Sequence, residues 1–199
     1  MTATPLILAS GSPVRRRLLT QAGLAFSVTP ADLDETAIIA AQMAMGATPD
    51  RIARTLAEQK ALAIDADPNT VVLGADQVLI QDGEIFQKPR DATGVRERLT
   101  RLRGRAHELI CAVALVRSGA VVWGHTERAS LLMRNFSDAF LETYTDRHGE
   151  DVTGSVGAYL LEAHGIQLFD RIDGDYFAIL GLPMLPLMGA LRRCGVLSE

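Results

Sequence analysis

Apolar positions fall into short runs and helical stripes that alternate along the chain. Residues 6–9 form an apolar run of strand length that ends in Ser10-Gly11-Ser12. Helical spacing follows over 13–22 and stops at Gly23. Ser12 is a good N-cap, and Pro13 suits the first helical position, where its missing N–H costs nothing. A short strand over 26–29 leads into the acidic segment ADLDET. Thr48-Pro49-Asp50 opens a helix to about residue 66. The buried run TVVL over 70–73 reads as a strand that runs into Gly-Ala-Asp-Gln. Residues 78–80 and 84–86 pair across Asp82-Gly83. Asp91 starts a helix with Val95, Leu99 and Leu102 on one face, stopped by Gly104. Long strands over 108–117 and 121–133 join through Ser118-Gly119. Ser137 caps a helix to about residue 147, strands over 166–171 and 176–180 flank the turn IDGD, and a last helix covers about 184–193. This alternation, with long hairpins mixed in, predicts an α/β fold: a mixed parallel/antiparallel sheet flanked by helices. No Pro/Gly/Ser linker divides the chain, so one domain is expected over residues 1–199.

Composition narrows the class. The chain has 199 residues, 48% of them hydrophobic and 22% charged, enough for a substantial core. The net charge of −4 argues against a general nucleic-acid binder, which needs a basic surface. Cys111 and Cys194 are the only cysteines, with no CxxC, so a reducing cytoplasm is the simplest compartment. The N-terminus lacks the basic region of a signal peptide, and no stretch is long and apolar enough to span a membrane.

Several residues resist a purely structural reading. Ser10 and Ser12, with the helix N-terminus and Arg15 to Arg17, could hold a phosphate; the alternative is a capped helix with a solvated basic face. On a 3.6-residue helix, Lys60 shares a face with Ile52, Leu56 and Ala63. A lysine in an apolar stripe either snorkels or aims at an anion, and a buried ammonium without a partner is costly. Asp76 follows TVVL-Gly-Ala, at what reads as the carboxyl end of a buried strand, where α/β sheets place ligands; the alternative is a turn aspartate. Asp32, Asp34 and Glu35 form an acidic group. One or two such carboxylates plus substrate phosphates usually hold Mg²⁺, although a solvated loop or helix start explains them too. Lys88, held extended by Pro89, is a second phosphate ligand or a surface lysine. The four histidines make no HxxxH or HExxH pair, and there is no P-loop, Rossmann fingerprint or Gly-x-Ser-x-Gly elbow. The remaining inventory, anion ligands plus two carboxylates, suits a polyphosphate with a divalent cation.

The segments LILASGSPVRRRLL, DLDET, AEQKA, VVLGADQV, QKPRD, LRGRAHE, GAYLLE and IDGDYFAILGLP, in this order, resemble the Maf family of septum-formation-associated nucleoside triphosphate pyrophosphatases. The resemblance implies hydrolysis of a nucleoside triphosphate to the monophosphate and pyrophosphate. It also implies a divalent cation, with Mg²⁺ expected and Mn²⁺ the alternative, two lobes with a central cleft, a cytoplasmic location and commonly a homodimer. By motif position, Asp76 falls on the proton acceptor. Glu35, Lys60 and Lys88 fall on positions needed for activity, and Ser10, Ser12 and Arg15 fall in the phosphate-binding loop. Glu35 and Asp76 are the expected metal ligands. Three positions tied to base choice are Val14, Gln77 and Glu162. The 7-methyl-GTP branch looks like Trp, Gln and Glu there, and the dTTP/UTP branch like Arg, Thr and Gln. The chain matches the first at Gln77 and Glu162 and neither at Val14, while its GAY segment looks more like the dTTP/UTP branch.

Chemistry favours a guanine-type base. An ionised Glu162 only accepts hydrogen bonds and could take two from guanine N1–H and the 2-amino group, whereas uracil and thymine offer one such donor. The rivals are a dTTP/UTP pyrophosphatase and a nucleotide-binding regulator of septum formation that does not turn over.

Overall fold

Local capping chemistry sets most element boundaries. The structure is a computed structural model describing residues 4–198; residues 1–3 and 199, the extreme ends of the expected domain, lie outside it. Ser12 caps α1 (Pro13–Gln21), its hydroxyl accepting from Arg15 N at 3.4 Å, and Asp91 caps α4 (Ala92–Leu102) by accepting from Gly94 N at 2.8 Å. Thr48 and Ser137 do the same for α3 (Pro49–Leu62) and α5 (Asp138–His148). Asp82-Gly83 and Ser118-Gly119 both place two successive residues at positive φ, between 51° and 81°. That is the geometry that lets a two-residue loop match strand twist. They close the hairpins β3 (Val71–Gln81) with β4 (Glu84–Phe86) and β5 (Ala106–Arg117) with β6 (Ala120–Met133).

Among the described residues, seven strands form one mixed sheet, in the order β2-β1-β3-β5-β6-β7, with β4 paired to β3. β1 (Leu6–Leu8) lies parallel to both β2 (Ser27–Val28) and β3, with Leu6 opposite Val71. β4 and β7 (Phe169–Asp173) pair antiparallel to β3 and β6. The helices are α1, α2 (Glu35–Ala44), α3, α4, α5, α6 (Tyr176–Ile179) and α7 (Met184–Arg193). The fold is therefore the expected α/β class.

The chain divides into two compact units, and β3, β5 and β6 each contribute to both. The first contains the residues up to Gln77, then Cys111–Glu127, then those from Gly181 on. Its interior includes Leu8, Leu19, Ile52, Leu56 and Leu73. Ala9, Ala61, Val72 and Val116 form a small cluster of their own. The second contains Val78–Ile110 and Arg128–Leu180. Its core joins Phe86, Val95, Leu99, Leu102, Leu131, Met133, Phe136, Tyr144 and Tyr159.

Four boundaries depart from expectation. The strands expected over 70–73 and 78–80 are one eleven-residue strand, β3, so Asp76 sits mid-strand rather than at a strand end. Gly74 looks like punctuation but serves close packing. A Cβ there would lie 2.0 Å from Ala57 O and 2.9 Å from Ala61 N, so α3 rests backbone to backbone on β3. α3 ends at Leu62, short of residue 66, which leaves Ala63 exposed. Residues 164–168 are 3₁₀-helical, and the run expected as a strand over 176–180 forms α6, because the Asp175 carboxylate accepts from Ala178 N at 2.7 Å. α2 grows out of the acidic segment, capped by Asp34 on Ala37 N at 2.9 Å.

In the second unit, His107 is 2% exposed and its Nε2 lies 2.8 Å from Tyr159 Oη. Burial, with the Arg98 guanidinium second, pushes its imidazole from the ordinary 6.5 down to about 4. The unfolded chain therefore binds this proton at a higher pH than the folded one. The His107 contribution is complete above pH 6.5 and is lost as pH falls toward 4. Urea melts from pH 7 to 4 should show a loss on the order of 3 kcal/mol from this group. His107→Gln should flatten that part of the profile.

Candidate active site

α3 carries Lys60 into the first unit along the face made by Ile52, Ala53, Leu56, Ala57 and Ala61, all buried. Lys60 is itself buried, at 8% exposure, and it has partners. Its Nζ donates to Asp76 Oδ1 at 2.6 Å and lies 2.8 Å from Glu35 Oε1. Two carboxylates, 16 and 25 residues away in sequence, converge on it. Asp76 is as buried as the lysine, whereas the Glu35 side chain is 43% exposed. α2 presents Glu35 at its first helical position, where the helix dipole favours a carboxylate. The close approach at Gly74 brings Lys60 and Asp76 together.

The loop after β1 is built around Arg15. This side chain is buried, and its Nη1 donates to Ser10 Oγ at 3.1 Å and to Ala75 O at 2.8 Å, while Nε donates to Gly181 O at 3.0 Å. Ser10 Oγ also accepts from Ser12 N at 3.3 Å. Arg15, expected as a phosphate ligand, thus has Nε and Nη1 engaged by the fold. It ties the Ser10 hydroxyl to the backbone beside Asp76. The acceptors Ala75 O and Gly181 O were beyond sequence reasoning, since carbonyls 60 and 166 residues away leave no side-chain signal. Gly74 did leave one: a glycine inside a strand pattern marks a bulge or a close backbone approach.

Among the described residues, no group of three or more His, Cys, Asp or Glu side chains is placed to hold a metal ion. Glu35 and Asp76 are two hard oxygen ligands within reach of one ammonium. Two carboxylates fit Mg²⁺, which takes one or two from the protein and completes its shell with water and phosphate.

The chain matches the family described as Maf-like protein over residues 5–194. The chain belongs to the Maf family. It is 47% identical over 194 residues to a Rhizobium etli protein named 7-methyl-GTP pyrophosphatase, covering 97% of this chain and 98% of that one. A Brucella abortus protein of the same name is 47% identical over 189 residues, 94% and 95% of the two chains. A Paramagnetospirillum magneticum protein named nucleoside triphosphate pyrophosphatase is 50% identical over 192 residues, 96% and 99% of the two chains.

The remaining candidate residues of this Maf protein are spread over both units. Val14 on α1 and Gln77 on β3 are half-buried residues of the first unit. Strand alternation turns Gln77 to the sheet face opposite Asp76. Lys88 is exposed in the segment after β4, and Glu162 is half-buried in a turn; both belong to the second unit.

Removing the shared cation should expose its importance to the fold. Lys60→Met keeps the apolar stem but leaves Asp76 buried and uncompensated, which should cost about 3 kcal/mol. Lys60→Met/Asp76→Asn should regain most of that loss in urea melts. Equal stability of the single and double variants would show that Asp76 is not destabilised by losing its cation.

Proposed function

We propose that this Maf protein hydrolyses a nucleoside triphosphate with a guanine-type base, 7-methyl-GTP first, to the monophosphate and pyrophosphate. The observation that carries this reading is the convergence of Glu35 and Asp76 on buried Lys60. It stands in a chain that matches, nearly end to end, relatives named for this activity. The rival regulator that binds without turnover has no need of two carboxylates held around one ammonium.

Lys60 acts as a placeholder in this mechanism. Its ammonium pairs with both carboxylates and offsets one of their two charges until a polyphosphate arrives, then shifts to a phosphate oxygen. Asp76 Oδ1, released from that bond, accepts a proton from a water molecule. The water oxygen bonds to the α-phosphorus as the bond to the bridging oxygen breaks, and pyrophosphate carries the electron pair away. The Ser10 hydroxyl, already oriented by Arg15, donates to the phosphate, as does Ser12. Lys88 covers charge on the leaving group. A Mg²⁺ or Mn²⁺ ion held by Glu35 and Asp76 would neutralise charge across the phosphates. Glu162, an acceptor, takes hydrogen bonds from guanine N1–H and the 2-amino group. Val14, lacking an aromatic face, offers no cation–π contact to a methylated base. The proposal extends to a cytoplasmic setting and a homodimer, without a nucleic-acid or membrane partner. The sparse cysteine content supports a reducing compartment.

A nucleotide screen with Mg²⁺ should find 7-methyl-GTP or GTP cleaved to monophosphate and pyrophosphate, with UTP and dTTP poorer. Asp76→Asn should lower kcat by about 10²–10⁴-fold while nucleotide still binds. Diphosphate plus single phosphate as main products would defeat the proposed point of attack, and binding without turnover would favour the regulator.

Base choice is tested by Glu162→Gln. Its amide NH₂ would oppose a guanine donor, so kcat/KM for guanine-type substrates should fall by about tenfold or more relative to UTP. An unchanged ratio would remove Glu162 from base reading.

A further inference from the structure

Glu162 stands on a turn shaped by the buried groups that precede and follow it. Ala163 N and Gly165 N both donate to Leu160 O at 3.1 Å, closing the turn around Leu161 and Glu162. Gly165 is required there, because a Cβ would come within 2.5 Å of that same carbonyl oxygen. Leu161 and Leu168 are buried in the core that also holds Tyr159.

The segment entering the turn is strained. Ala158 has φ 60°, a left-handed conformation unusual for a residue with a side chain, and it is fully buried. The Tyr159 ring folds back over Gly157 so closely that a Cβ there would lie 2.3 Å from the ring. A backbone held this way persists only where its surroundings over-determine it. Here they do. Arg98 donates to Val156 O, Phe169 meets the Tyr159 ring edge-on at 4.8 Å, and Tyr159 Oη is bonded to His107 Nε2 at 2.8 Å. His107 stands on β5, so the turn is fastened to the sheet through this bond. Burial pushes the phenol up and the imidazole down to about 4, so two neutral groups share the proton at pH 7.

We propose that His107 and Tyr159 are positioning residues for base selection: their buried hydrogen bond fixes the Val156-to-Gly165 segment and thereby aims the Glu162 carboxylate at the base. This rests on the reading of Glu162 as the residue that recognises a guanine-type base. Both His107 and Tyr159 are buried, at 2% and 4% exposure. Their effect therefore falls on discrimination and KM rather than on the chemical step, whose acid–base groups lie on α2, α3 and β3.

Full-length Tyr159→Phe keeps the ring and deletes only the hydroxyl. Its kcat and KM are measured for 7-methyl-GTP, GTP and UTP beside Glu162→Gln and the double variant. Tyr159→Phe should raise KM for the guanine-type substrates about tenfold with kcat and the UTP constants within about twofold. The double variant should discriminate no worse than Glu162→Gln alone, the non-additivity expected when one residue acts through the other. His107→Gln, whose amide reaches the region of Nε2, should retain more discrimination than His107→Leu. Equal losses on every substrate would assign the bond to folding alone and overturn the proposal. So would additive effects in the double variant. A shifted ratio in Glu162→Gln with none in Tyr159→Phe would overturn the positioning role and leave base reading intact. No shift in Glu162→Gln would overturn base reading, and this inference with it.

Discussion

The ion cluster of Glu35, Lys60 and Asp76 depends on a contact between two backbones. α3 can lie on β3 only because Gly74 has no side chain to hold it away. At ordinary helix-to-sheet spacing, side chains fill the gap. Here the helix carbonyl of Ala57 takes that space, and the nearness carries Lys60 to the strand residue two positions beyond the glycine. A buried ammonium is tolerable only with charge around it. The same closeness that buries Lys60 therefore supplies the carboxylate that compensates it.

Arg15 solves a related problem for the loop after β1. That loop ends a buried strand, and its Ser10 and Ser12 hydroxyls accept from the loop's own amides, Ser12 N and Arg15 N. The guanidinium binds the loop hydroxyl of Ser10 and two carbonyls from distant parts of the chain, all from a buried position. Charge-assisted bonds of this kind are stronger than neutral ones, and the planar fork fixes direction as well as distance. The result is a Ser10 hydroxyl fixed through Arg15 to the carbonyl of Ala75, the neighbour of Asp76 in sequence.

Features that local chemistry decides were legible from residue order. Asp82-Gly83, Ser118-Gly119, Asp91, Ser137 and the Ser12-Pro13 start all behave as their side chains dictate, because caps and turns involve neighbours within four residues. Lys60 stood out because a charge interrupts an apolar stripe. Its partners did not, since pairing across 16 and 25 residues leaves no periodic trace. Gly74 reads two ways: it signals a close backbone approach, and it also looks like a strand break, although β3 continues through it and holds Asp76 mid-strand. The run Tyr176-Phe177-Ala178-Ile179 has strand-like side chains, yet one capping bond from Asp175 makes it helical. Arg15 advertised phosphate chemistry through its charge, while its engaged acceptors are carbonyls that look alike at every position of a sequence.

α2 differs from the other elements that hold the cluster. None of its ten residues is buried, and Met43 and the C-cap residue Met45 are 54% and 70% exposed. α3, by contrast, buries six. Little apolar area anchors α2, so its local opening free energy lies well below that of the sheet. Glu35 travels with α2, whereas Asp76 is fixed in β3. Loosening one short helix therefore takes the cluster from one net negative charge to none while the Lys60–Asp76 pair stays intact. Release of α2 would give up the Glu35–Lys60 contact and the packing of half-buried Ile38 and Ile39, but no buried residue of its own.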